Sequence, residues 1–176
     1  LSSHSLTFEK SSESYKLTFN TIIQKQANHL MSEIDKTQQI ENKIIGGAAI
    51  ILVGLCYKNK TYLDFGLGSL KKITKMSLDN SGFPRSRNTK QLIFYLKYFV
   101  LIREWYKESQ NQIPEYIDET IFYLGQAYAF IWQNVNLDLL FNGNTNSDNV
   151  DFDNYLKRLG YKFKNDHHDY GGYIIC

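Results

Sequence analysis

The sequence predicts a mainly α-helical chain of antiparallel hairpins, closed by a short β segment at its C-terminal end. Three observations predict it. Apolar residues recur every three or four positions through most of the chain. The breaks between these runs are short enough to join antiparallel neighbours. Beyond residue 160 the helical spacing gives way to bunched aromatic and β-branched residues.

Residues 1–10 are polar and read as an irregular lead-in. From about Ser11, the residues Tyr15, Phe19, Ile22, Ile23, Leu30 and Ile34 fall at helical spacing, with Ser12 or Ser14 as the cap. A second helix is predicted over 40–57, with Ile44, Ala48, Ile51, Leu52 and Leu55 as its core face. Gly46 and Gly47 each cost about 1 kcal/mol relative to alanine in a helix. Their expected use is close approach of a neighbouring helix. Cys56, in the same apolar run, reads as a buried thiol.

After a turn at 58–60, Leu63, Leu67, Leu70 and Ile73 mark a third helix. A polar, basic loop at 79–88 follows. Asn88 is the expected N-cap of a fourth helix, and Gln91 the partner that completes a capping box. The buried stripe of that helix is Leu92, Leu96, Phe99, Ile102 and Tyr106. Pro114 suits the first position of a fifth helix, where Ile117, Ile121, Leu124, Tyr128 and Ile131 give the clearest period in the chain. Residues 142–147 read as a loop. A short helix over 150–159 stops at Gly160, which suits the left-handed cap. Residues 161–163 and 173–175 are predicted strands, joined by a charged loop at 165–169. From the residues alone, this order fits a bundle, a solenoid or a toroid of hairpins. The chain opens on Leu1 and stops as a strand begins, so it reads as a fragment of a longer protein.

Hydrophobic residues make up 43% of the 176, and two prolines are present, which excludes collagen-like and disordered classes. The most apolar run, 44–56, falls short of the ~20 residues a membrane span requires, so no membrane span is expected. The two cysteines and the four histidines (His4, His29, His167, His168) lack metal-ligand spacing, so no metal or cofactor is expected. No nucleophile elbow, phosphate loop or dinucleotide fingerprint occurs.

Net charge is +2, unevenly spread. Residues 71–97 hold seven basic side chains (Lys71, Lys72, Lys75, Arg85, Arg87, Lys90, Lys97) and one acid, Asp79, so the remainder carries about −4. Such a zone on a mildly acidic body suits an anionic partner. Arg85 and Arg87 stand just before a helix start, whose free N–H groups and dipole favour anions. A carboxylate, sulfate or phosphate fits there. The competing expectation is that one arginine pairs with Asp79 or Glu104 and pins the loop. Tyr95 and Tyr98 follow on the next helix, where cations nearby would lower a phenol's pKa toward acid–base use.

The loop 79–88 with its following helix, Glu41-Asn42-Lys43 before a Gly/Ala-rich helix, and the Gly160-Tyr161-Lys162-Phe163 and Gly171-Gly172-Tyr173-Ile174 segments together resemble the heparinase II/III-like polysaccharide lyases. Asn42 matches the asparagine of that family's Asn-His pair, with Lys43 in the histidine's place. In the family's loop pattern Asp79, Arg85 and Ser86 match. Gly82, Pro84 and Thr89 stand at its His, Glu and Tyr positions.

The resemblance implies an α-helical toroid followed by a β-sandwich. Residues 1–145 would be the C-terminal part of the toroid, and 146–176 a linker helix with the first strands of a truncated sandwich. It implies cleavage of uronate-containing glycans by β-elimination. That reaction needs a neutralised carboxylate, a base for the adjacent C–H and an acid for the leaving oxygen. Asn42, Arg85, Arg87 and Asn88 would contact substrate carboxylates, with Tyr95 as a substitute catalytic group. The partner would be an anionic polysaccharide, the location the periplasm or cell envelope, and the fragment inactive alone. A non-catalytic glycan-binding or scaffold domain is the second expectation. Nucleic-acid binding through the 71–97 zone is the third and is not favoured, since no known module is present.

Overall fold

The computed structural model describes residues 8–134 and 148–174. Six helices precede a two-stranded antiparallel sheet: α1 (Glu13–Glu33), α2 (Ile40–Cys56), α3 (Lys60–Ser77), α4 (Thr89–Glu108), α5 (Glu115–Asn134), α6 (Asp148–Arg158), β1 (Asp169–Tyr170) and β2 (Tyr173–Ile174). The chain is thus mainly helical with a short β segment at its C-terminal end, as the periodicity predicts. The first seven residues of the lead-in, the 142–147 loop and Ile175 lie outside the described residues.

Side chains capture the free N–H groups at three helix starts. Ser12 Oγ accepts from Tyr15 N, Asn59 Oδ1 from Thr61 N and Tyr62 N, and Asn88 Oδ1 from Lys90 N. The C-terminal stop of α6 at Gly160 has φ 83°, the left-handed conformation glycine adopts without steric cost.

Helix α2 is central, touching α1, α3 and α4, while α4 also pairs with α5. Glycines bring α2 and α3 together. A Cβ on Gly66 would sit 3.0 Å from the Gly47 carbonyl oxygen, and one on Gly47 would sit 3.1 Å from Leu70 Cδ2. Gly46 faces the other way, where a Cβ would come 2.8 Å from Ile34 Cδ1. The helix penalty of this Gly-Gly pair is offset by contact on two sides.

The predicted stripes of α4 and α5 are buried in full and form the main core with Ile44, Ala48, Ile51, Leu55, Leu70 and Ile73. A smaller cluster of Ala27, Ile34, Ile50 and Tyr62 joins α1 to α2 and α3. Because α2 is covered on two faces, Ile50 is buried where only one apolar face was expected, and Leu52 is half-exposed. Phe152 and Leu156 of α6 belong to the main core, and Tyr161, Phe163, Tyr170 and Tyr173 pack against it. The segment from Phe152 to Tyr173 therefore shares the helical core.

Two local expectations are corrected. Cys56 is exposed, because it is the last residue of α2, past the final covered turn. Residues 161–163 form no strand; side chains hold them instead. Tyr161 Oη donates to Glu104 Oε1 at 2.8 Å, and the Phe163 ring lies against Gly125. The sheet begins later, inside the predicted charged loop, with Tyr170 opposite Tyr173 and Asp169 opposite Ile174. Gly171 and Gly172, at φ 60° and 79°, make the two-residue turn whose twist matches a hairpin. Among the described residues, no helix is long and apolar enough to cross a membrane.

Candidate functional site: the α3–α4 loop

The loop between α3 and α4 closes on Asp79. Its Oδ1 accepts from Ser81 N and Phe83 N, both at 2.9 Å, and its Oδ2 accepts from Arg87 Nη1 at 2.8 Å. The backbone adds Asp79 N to Phe83 O at 2.8 Å and Arg85 N to Ser77 O at 2.8 Å. A short side chain accepting from its own following amides is the usual way aspartate stops a helix pattern and turns the chain. Leu78 and Pro84 then pair as an isolated antiparallel bridge.

Phe83 anchors this turn. It is 1% exposed and packs against Phe130 of α5 and against Tyr170 and Tyr173 of the hairpin, with ring centroids 4.9–6.4 Å apart. Gly82 has φ 81°, and a Cβ there would overlap the Tyr123 carbonyl of α5.

The two arginines do different things. Arg87 is a clamp: besides Asp79, its Nη1 donates to the Gly171 carbonyl at 2.6 Å, and its guanidinium lies 5.7 Å from the Tyr173 ring centroid. Tyr173 Oη returns a hydrogen bond to the Arg87 carbonyl at 3.0 Å. This is the pinning role, with Asp79 rather than Glu104 as partner. Arg85 is exposed, and among the described residues its side chain takes no part in the loop's hydrogen bonds.

Asn88 caps α4, so its carbonyl oxygen is engaged by Lys90 N. Gln91 does not complete the capping box. Its Nε2 donates to Glu41 Oε1 at 2.6 Å, and its Oε1 accepts from Ser86 Oγ. That bond ties the start of α2 to the start of α4, so Asn42 sits at the same end of the helical array as the loop. Asn42 is exposed, and its Nδ2 donates to Gln39 Oε1 at 2.7 Å. The pairing of Glu41 with Gln91 escaped the sequence reading because they are fifty positions apart.

Tyr95 does not reach this surface. It is 1% exposed, and burial, with the nearby Glu41 charge adding to it, pushes its pKa up to about 12. Ser77 partly offsets that rise, yet neither hydroxyl makes a well-formed hydrogen bond among the described residues. The premise of a cation-lowered phenol fails, and the cause is desolvation. Replacing Tyr95 with phenylalanine is expected to leave stability unchanged or raise it by up to about 1 kcal/mol, because a buried hydroxyl without a good partner is removed. A melting curve checks this; a marked fall in melting temperature would show that the hydroxyl has a partner after all.

Three further loop positions, 82, 84 and 89, are closed as well. Gly82 has no room for a side chain, Pro84 is buried, and Thr89 is 3% exposed. What remains outside is charge. Lys75 lies in the last turn of α3 and Lys90 in the first turn of α4, and both are exposed, as is Arg85 in the loop between them. Among the described residues, the ion pairs of the basic zone are Arg87–Asp79 at 2.8 Å and a loose Lys72–Asp35 at 3.9 Å. Asp79 and Glu119 line a small hollow between the loop and α5.

No protein-family model matches the chain, and neither a search of curated proteins nor one of solved structures finds a significant match.

Proposed function

We propose that the chain is a helical-hairpin domain of the heparinase II/III-like lyase type that binds a uronate-containing polysaccharide without supplying the acid and base. The observation that carries this reading is the division of the α3–α4 loop. Its inner face is closed by Asp79, Phe83 and Arg87, while Arg85 in the loop, Lys75 in the turn before it and Lys90 in the turn after it are each exposed. A polymer with a carboxylate on alternate sugars offers repeated anions to such a cluster, and Arg85 has the planar fork that grips a carboxylate through two parallel hydrogen bonds. The closure of positions 82, 84, 89 and 95 favours binding over elimination.

The test is calorimetric titration with hyaluronate at low and high salt, with ultraviolet detection of an unsaturated uronate product. Binding that weakens with salt, without product, is expected. Formation of the unsaturated product would return the catalytic reading. Equal affinity for a DNA duplex would favour nucleic acid instead, and no binding to either polymer would refute both.

A further inference from the structure

The geometry points to a second ligand site, for a neutral sugar ring, in the cleft between α5 and residues 159–163. This cleft has a volume of about 390 Å³ and is lined by Arg103, Asp118, Phe122, Gln126, Tyr161 and Phe163 among others. That is within the range of small-molecule sites, which start near 300 Å³. It lies away from the basic loop. Lys90 and Arg103 are thirteen residues apart on α4, roughly 20 Å along its axis at the helical rise. The inference therefore does not rest on the polyanion reading.

The walls are held in place before any ligand arrives. Arg103 Nε donates to Asp118 Oδ1 at 2.6 Å, and its Nη1 to Tyr161 Oη at 3.4 Å. Tyr161 Oη donates to Glu104 Oε1 at 2.8 Å, and Lys107 Nζ holds the other Glu104 oxygen at 2.8 Å. The Arg103 guanidinium stacks 5.7 Å from the Tyr161 ring centroid. Phe163 lies on bare backbone at Gly125, where any side chain would overlap its ring. Asn165, 4% exposed, donates from Nδ2 to the Gln126 carbonyl and fixes the segment after the cleft.

The charges decide what fits. Arg103 and Lys162 are balanced by Asp118 and Glu104, so an incoming anion would meet two carboxylates beside the two cations. An incoming cation would meet Arg103 and Lys162. Half of the Asp118 side chain remains exposed, and among the described residues its second oxygen is open to a donor. The Gln126 amide offers a donor and an acceptor at the same rim. Phe122 is 55% exposed and presents an apolar ring beside them. A ligand with one C–H face for the rings and adjacent hydroxyls for Asp118 and Gln126 satisfies all of these groups at once. A hydroxyl both donates and accepts, so it pairs with either side chain. A neutral sugar ring has that form.

The experiment is an amide NMR titration of the chain with cellobiose, maltose, xylobiose and diacetylchitobiose, each to tens of millimolar, with glucuronate as the charged control. At least one neutral sugar is expected to shift the amides of 118–126 and 159–163 saturably, and more tightly than glucuronate. Phe122→Ala and Asp118→Asn are each expected to weaken that binding by about tenfold. Phe122 is largely exposed, so Phe122→Ala tests the site without disturbing the core. Absence of shifts with all four sugars, tighter binding of glucuronate, or unchanged affinity in Phe122→Ala would each overturn the inference.

Discussion

Replacing Phe83 with alanine is expected to destabilise the fold by about 3–5 kcal/mol, the range for removing a fully buried aromatic side chain. At this chain length that corresponds to a fall of about 10 °C in melting temperature. The ring is 1% exposed and touches α5 and the hairpin at once, so its loss leaves a cavity that rigid neighbours on both sides cannot fill. The effect should extend beyond stability. Gly171 approaches so closely that a Cβ there would overlap the Phe83 ring, and the hairpin therefore rests on that ring. Proteolysis or hydrogen exchange should find residues 169–174 loosened before the helices melt. A change of less than about 1 kcal/mol would mean that the hairpin is not seated on Phe83.

The second large effect is expected from Gly82→Ala. Two costs combine at this position. A residue with a Cβ at φ 81° carries a penalty of order 1–3 kcal/mol. The new Cβ would also overlap a backbone carbonyl of α5, which has no rotamer with which to move aside. A loss of about 3 kcal/mol or more is expected, measured by denaturant unfolding. Gly160→Ala is the matched control. Its φ is 83°, but no heavy atom lies within 4 Å of an added Cβ, so it reports the backbone penalty alone. Equal losses in the two variants would show that the contact with α5 adds nothing.

The helices were legible because their information is local. Ile117, Ile121, Leu124, Tyr128 and Ile131 repeat at helical spacing, and each is buried in α5. Asn88 caps the helix it precedes, and Gly46 and Gly47 serve close approach. The 161–163 segment misled because bunched aromatic residues suit a strand and an anchored coil equally well. Here the Gly125 backbone seats the Phe163 ring and Glu104 accepts from Tyr161, and among the described residues no strand offers a backbone partner. Cys56 misled because an apolar run does not show where its helix leaves the core.

The basic loop was recognisable as a site of interest, but the roles of its two arginines were not. Arg87 is a clamp only because the Gly171 carbonyl, 84 residues onward, meets the same Nη1 that Asp79 holds. Tyr95 looked available because its neighbours in sequence are cationic. In space its neighbours are the α2–α5 core and Glu41. The Arg103–Asp118–Tyr161 cleft, assembled across 58 positions, left no sequence signature at all.

The central claim is that Arg85 binds while Arg87 holds the loop. Arg87→Ala is expected to lower stability by about 1–2 kcal/mol, since its partner Asp79 is mostly buried and loses a charged donor. Arg85→Ala, at an exposed position, should change stability by no more than about 0.5 kcal/mol. The most direct measurement is the affinity of Arg85→Ala for hyaluronate at low salt, taken beside its melting temperature. The account predicts affinity reduced by about tenfold with an unchanged melting temperature. Wild-type affinity in Arg85→Ala would contradict it.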